Sequence, residues 1–72
     1  MAEKLTEVTL LTRAGCHLCE VADGQLRAIL DDYRLTPRVL DVDALAAEGD
    51  LDTRAEYGDR LPVILLDGIE HG

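Results

Sequence analysis

Cys16 and Cys19 are the only cysteines among the 72 residues, and they are separated by His17 and Leu18. They fall where a short apolar run, Val8-Thr9-Leu10-Leu11, gives way to a helical pattern. A thiol at a helix N-terminus faces unpaired backbone N–H groups and the positive end of the helix dipole, so its thiolate form is favoured. A second thiol three residues on lies on the adjacent part of the same turn, about 5–6 Å away at Cβ, within reach of disulfide closure. The chemistry this spacing offers is reversible thiol–disulfide exchange.

The surrounding sequence supplies the elements that must hold the pair. Residues 7–12 form a buried-strand pattern, and Arg13-Ala14-Gly15 a small-residue turn. From residue 16 to about 33, Leu18, Val21, Ala22, Leu26, Ile29, Leu30 and Tyr33 recur at spacings of three and four, which predicts an amphipathic helix. Gly24 weakens it by ~1 kcal/mol relative to Ala, and Thr36-Pro37 marks its limit. At about 100° per residue, Cys19 falls inside the apolar arc near Leu26 and Leu30, whereas Cys16 lies beyond it at the helix mouth. Cys19 is therefore expected to be buried and Cys16 reachable and more acidic.

Residues 38–43 alternate and predict a second strand, and residues 44–49 a loop or short helical turn. Asp50 is placed to cap a short helix ending at Tyr57, with Gly58 just beyond. Pro62 opens the apolar run Val63-Ile64-Leu65-Leu66, Asp67-Gly68 signals a hairpin turn, and residues 69–72 begin the returning strand. The expected order is β-α-β-α-β-β, in a single domain over residues 1–72, with nothing following to cover one side of the sheet.

The formal net charge of −8 argues against nucleic acid and anionic membranes as partners. No basic segment followed by an apolar stretch opens the chain, and no apolar run approaches the ~20 residues of a membrane span. A cytoplasmic location is expected, where a vicinal thiol pair is more often catalytic, redox-sensing or metal-binding than structural. Asp41, Asp43, Asp50 and Asp52 lie at strand and helix ends, where caps and solvated charge account for them.

The segment Thr12-Arg13-Ala14-Gly15-Cys16-His17-Leu18-Cys19 resembles the active-site turn of glutaredoxins, in which a basic residue three before the first cysteine is usual. Pro62, before a strand and the Asp67-Gly68 turn, is similar to the cis-proline segment of the thioredoxin superfamily. The nearest likeness is to small bacterial glutaredoxin-like proteins, from Val8 onward. The resemblance implies a three-layer α/β thioredoxin-like fold of glutaredoxin type, short of its C-terminal helix. It implies thiol–disulfide oxidoreductase activity, with Cys16 as nucleophile and Cys19 resolving. Glutaredoxins usually carry Pro-Tyr between the cysteines, where this chain has His17-Leu18.

The same resemblance implies a cis Leu61–Pro62 bond packed beside Cys16, with the neighbouring backbone pairing with an extended peptide or glutathione. Arg13 is a candidate to lower the Cys16 pKa or hold a substrate carboxylate, and Arg60 to act from across the site. His17, when protonated, would stabilise the Cys16 thiolate. No organic cofactor is called for beyond electrons from a thiol donor such as glutathione. The expected partners are a protein disulfide or glutathione mixed disulfide, and a thiol reductant or reductase. Two alternatives stand beside this reading. One is a metal site using Cys16, Cys19 and His17, which lacks a fourth ligand. The other is a thioredoxin-fold interaction module whose cysteines turn over nothing.

Overall fold

The computed structural model describes residues 7–71; the expectations for the first residues of the chain and for Gly72 lie outside them. The elements run β1 (Val8–Thr12), α1 (His17–Asp31), β2 (Arg38–Asp41), α2 (Val42–Ala47), α3 (Leu51–Tyr57), β3 (Val63–Leu66) and β4 (Ile69–His71). The sheet order is β2-β1-β3-β4, with β1 and β2 parallel and the other pairings antiparallel. This is the mixed α/β arrangement of a thioredoxin-like fold, with one more short helix than the sequence pattern suggests.

Register assigns the two faces. Leu11 pairs with Leu40 on β2 and Val63 on β3, so these three side chains share one face. Val42 of α2 joins Leu11 and Val63 in a core cluster, with Leu40, Tyr57, Leu61 and Leu65 packed against it. Val8 and Leu10 alternate to the opposite face, where they are buried and where α1 lies against β1. The turn Asp67-Gly68 has positive φ at both residues, the backbone of a tight two-residue hairpin. Asp67 also secures the start of β1: its N–H donates to the Glu7 carbonyl, and its Oδ1 accepts from the Glu7 N–H, both at 2.8 Å.

Two local expectations need correction. The second strand stops at Asp41 rather than 43, because Asp41 Oδ1 accepts from the N–H groups of Asp43 (2.8 Å) and Ala44 (3.1 Å) and so starts α2. The apolar arc of α1 is wider than the sheet beneath it. Only Cys19 and Leu30 are buried, with Ala22 and Leu26 half-buried between them, while Leu18, Val21, Ile29 and Tyr33 on the rest of the arc are exposed.

Candidate active site

The dithiol is built by the junction between β1 and α1. After Thr12 the chain turns through Arg13-Ala14-Gly15, closed by the Cys16 N–H donating to the Arg13 carbonyl at 3.1 Å. Gly15 occupies the third turn position with φ +81°, a conformation that disfavours side chains. Cys16 follows in extended conformation as the N-cap of α1, its Sγ accepting from the Cys19 N–H at 3.1 Å. The nucleophile candidate thus takes the place that a Ser, Asp or Asn side chain usually fills, against the free N–H groups of the first turn.

Cys16 and Cys19 are joined as a disulfide, with Cα atoms 5.2 Å apart. Cys19 is 2% exposed and Cys16 is half-buried, the asymmetry expected from the helix wheel. His17, the first residue of α1, is exposed. The Leu61–Pro62 peptide is cis, at the entrance to β3. Leu61 and Pro62 are half-buried, and Leu61 packs on the Leu11–Val42–Val63 cluster.

Beside the cysteines lies an open cavity of about 220 Å³, bounded by the turn, the first half of α1 and the end of β2. Cys16, Cys19, Glu20, Asp23, Arg13 and Asp41 all line it, whereas Leu61 and Pro62 do not. Because β1 separates β2 from β3 in the sheet, the cavity lies on the β2 side of β1 and the cis-proline on the β3 side.

The two arginines singled out by sequence are both engaged within the protein. Arg13 donates from Nε to Asp43 Oδ2 at 2.8 Å, and Asp43 is also 3.6 Å from Arg54 of α3. The hydrogen bond from the Arg13 guanidinium, helped by its charge and by Arg54, holds the Asp43 carboxyl below the usual carboxylate range. Arg60 pairs with Glu70 and Glu56 and stacks over the Tyr57 ring. Each guanidinium stays partly exposed, with N–H donors beyond those used in these pairs.

Asp41 is the residue whose importance sequence reasoning missed. Besides capping α2, its Oδ2 accepts from the Ala14 N–H at 3.1 Å and ties the turn before Cys16 to the end of β2. The signal was an Asp at the end of a strand pattern directly before Val-Asp-Ala-Leu-Ala-Ala, a capping position. Among the described residues, no group of three or more His, Cys, Asp or Glu side chains is arranged to hold a metal ion. No helix of the described residues is long and apolar enough to cross a membrane.

Residues 7–71 match the family described as Glutaredoxin-like domain (DUF836). An uncharacterized protein of Mycobacterium tuberculosis is 48% identical over 65 residues, which cover 90% of this chain and 67% of the relative. An uncharacterized protein of Mycobacterium bovis matches with the same identity and coverage.

Proposed function

The chain belongs to the glutaredoxin-like domain family, and we propose that it carries out thiol–disulfide exchange with Cys16 as nucleophile and Cys19 as resolving thiol. The observation that carries this reading is a vicinal cysteine pair at a helix mouth, closed as a disulfide, with one sulfur reachable and the other buried.

In the reduced protein, the Cys16 thiolate is stabilised by the first-turn N–H groups of α1, including that of Cys19. It attacks one sulfur of a substrate disulfide, forming a Cys16–substrate bond and expelling the other substrate sulfur as a thiolate, which takes up a proton. Cys19 then loses its proton and attacks Cys16 Sγ. The Cys16–Cys19 bond forms, the mixed bond breaks, and the second substrate thiolate leaves and is protonated. Two electrons pass to the substrate, and the oxidised state is the one in this structure. A thiol donor or a reductase returns them.

The location of Cys16 on the exposed side suits attack on a disulfide in another molecule, and the burial of Cys19 suits an intramolecular second step. In this reading His17, next to Cys16 in the chain, tunes it through charge, and the backbone at Leu61–Pro62 receives an extended substrate. We assign the reaction to the cytoplasm, where thiols are kept reduced between turnovers.

The test is trapping. Cys19→Ser should accumulate a mixed disulfide on Cys16 when mixed with a model disulfide, seen as an adduct by intact mass, while Cys16→Ser should form none. The parent protein, equilibrated in glutathione buffers of graded redox ratio, should interconvert between dithiol and disulfide. Thiols that stay reduced at every ratio, or an adduct on Cys19 instead, would refute the assignment.

A further inference from the structure

We infer that the dithiol site selects cationic disulfides, those of basic peptide segments, over glutathione and other anionic disulfides; this rests on the exchange reading above. The cavity that opens on Cys16 is lined by three carboxylates, Glu20, Asp23 and Asp41, against one guanidinium, Arg13. Arg13 is paired with Asp43 at 2.8 Å, and Asp43 is shared with Arg54 at 3.6 Å, so this cluster keeps one net positive charge. Asp23 is balanced by Arg27 at 2.7 Å, one turn along α1. That leaves two carboxylates without an ion-pair partner among the described residues, Glu20 and Asp41, against the one residual positive charge of the Arg13–Asp43–Arg54 cluster, of which only Arg13 lines the cavity.

Their placement matters more than their number. Glu20 lies one turn after Cys16, its N–H donating to the Cys16 carbonyl at 3.2 Å. Among the described residues its carboxylate has no ion-pair partner, and it is exposed at the cavity wall. Asp41 closes the opposite wall, its orientation held by three backbone N–H donors.

A substrate disulfide must come to Cys16 Sγ to react, so its flanking groups enter this field. Glutathione brings carboxylates that outnumber its amine, and the guanidiniums that would receive them, Arg13 and Arg60, are held by Asp43, Glu70 and Glu56. Lysine or arginine side chains beside a substrate cystine meet Glu20 and Asp41 instead. Clefts lined by one sign of charge raise the encounter rate of opposite charges by about 10- to 1,000-fold at low salt.

The experiment uses the reduced full chain and three disulfides: a lysine-flanked cystine peptide, its glutamate-flanked counterpart, and neutral hydroxyethyl disulfide. The rate of Cys16–Cys19 closure is followed by quenching and intact mass, and each rate is divided by that of dithiothreitol with the same disulfide. The lysine peptide should react on the order of tenfold faster than the glutamate peptide at an ionic strength of about 10 mM, where screening reaches ~30 Å. The ratio should collapse towards unity near 1 M salt. Glu20→Lys should cut the ratio at least about fivefold. Asp31→Lys makes the same charge change at the far end of α1, roughly 20 Å along the helix, and, compared at about 0.1 M ionic strength where screening falls to ~10 Å, should lower the ratio by less than half as much as Glu20→Lys.

Equal rates for the two peptides, or a faster glutamate peptide, overturn the inference while closure by hydroxyethyl disulfide leaves the exchange reading standing. An equal drop with Asp31→Lys also overturns it, since overall charge rather than the cavity would then set the preference. If none of the three closes the pair while each oxidises dithiothreitol, both readings fall.

Discussion

Removing the Asp41 carboxylate tests whether the turn that carries Cys16 is held from β2. Asp41→Ala removes the cap of α2, in which Oδ1 accepts from the Asp43 and Ala44 N–H groups, and the cross-link from Oδ2 to the Ala14 N–H. Loss of an N-cap side chain typically costs about 1 kcal/mol. A hydrogen bond to water-accessible backbone adds about 0.5 kcal/mol, the low end of the usual range. The sum, about 1.5 kcal/mol, is large for a domain of this size. With a urea m-value near 1 kcal/mol/M for a small protein, the unfolding midpoint should fall by roughly 1.5 M. Asp41→Asn keeps an acceptor at the same place and should lose less than half as much. Urea unfolding of the oxidised proteins, followed by far-ultraviolet circular dichroism, reads both. The Ala14 and Cys16 amides should also exchange with deuterium faster in Asp41→Ala. A midpoint within about 0.3 M of the parent, with unchanged exchange at those amides, would show that the turn is held by its own Cys16–Arg13 bond and by Gly15, and that Asp41 is only a surface charge.

Gly24→Ala should stabilise the protein by about 1 kcal/mol and raise Tm by roughly 4–8 °C, since a Cβ there meets nothing within 4 Å inside α1; a lower Tm in a thermal scan would contradict the packing of that helix. Asp43 and Asp50 are both held below the usual carboxylate range, chiefly by hydrogen bonds from Arg13 and Thr53 respectively. Because their folded values are depressed, the stability they contribute is present above about pH 4 and is lost as pH falls through the folded values. Urea midpoints of the parent and of Asp43→Asn should therefore differ most near pH 6 and converge towards pH 3; a gap that does not change with pH would mean that the Arg13–Asp43 pair adds nothing to folding.

What the sequence made legible was local. The cysteine pair, the turn before it and the helix after it lie within one short stretch, where helical period and strand alternation act on neighbouring residues. The Asp50 cap and the Asp67-Gly68 turn were readable for the same reason, being set by the residues' own backbone preferences. The β2–α2 boundary was not, because Asp41 and Asp43 fit a strand's alternation as well as a cap, and the side chain's choice of donors decides between them. The burial of α1 was overestimated because a wheel shows which side chains share a face, not how wide a surface the sheet presents. Leu18 and Ile29 satisfy the period and stay exposed. The pairing of Arg13 with Asp43 spans 30 residues, and no local rule foretells it.

The central place of β1 in the sheet has a further consequence for the chain as it is synthesised. Val8 finds its antiparallel partner only in Leu66, and Leu11 its partner in Val63. The strand that leads into the dithiol is thus made before β3 and is flanked on both sides only once β3 has emerged, since such distant contacts form late. Until then β1, on which α1 packs, has no partner on its β3 side. The sheet on which the dithiol helix rests is therefore completed only when β3 closes on β1.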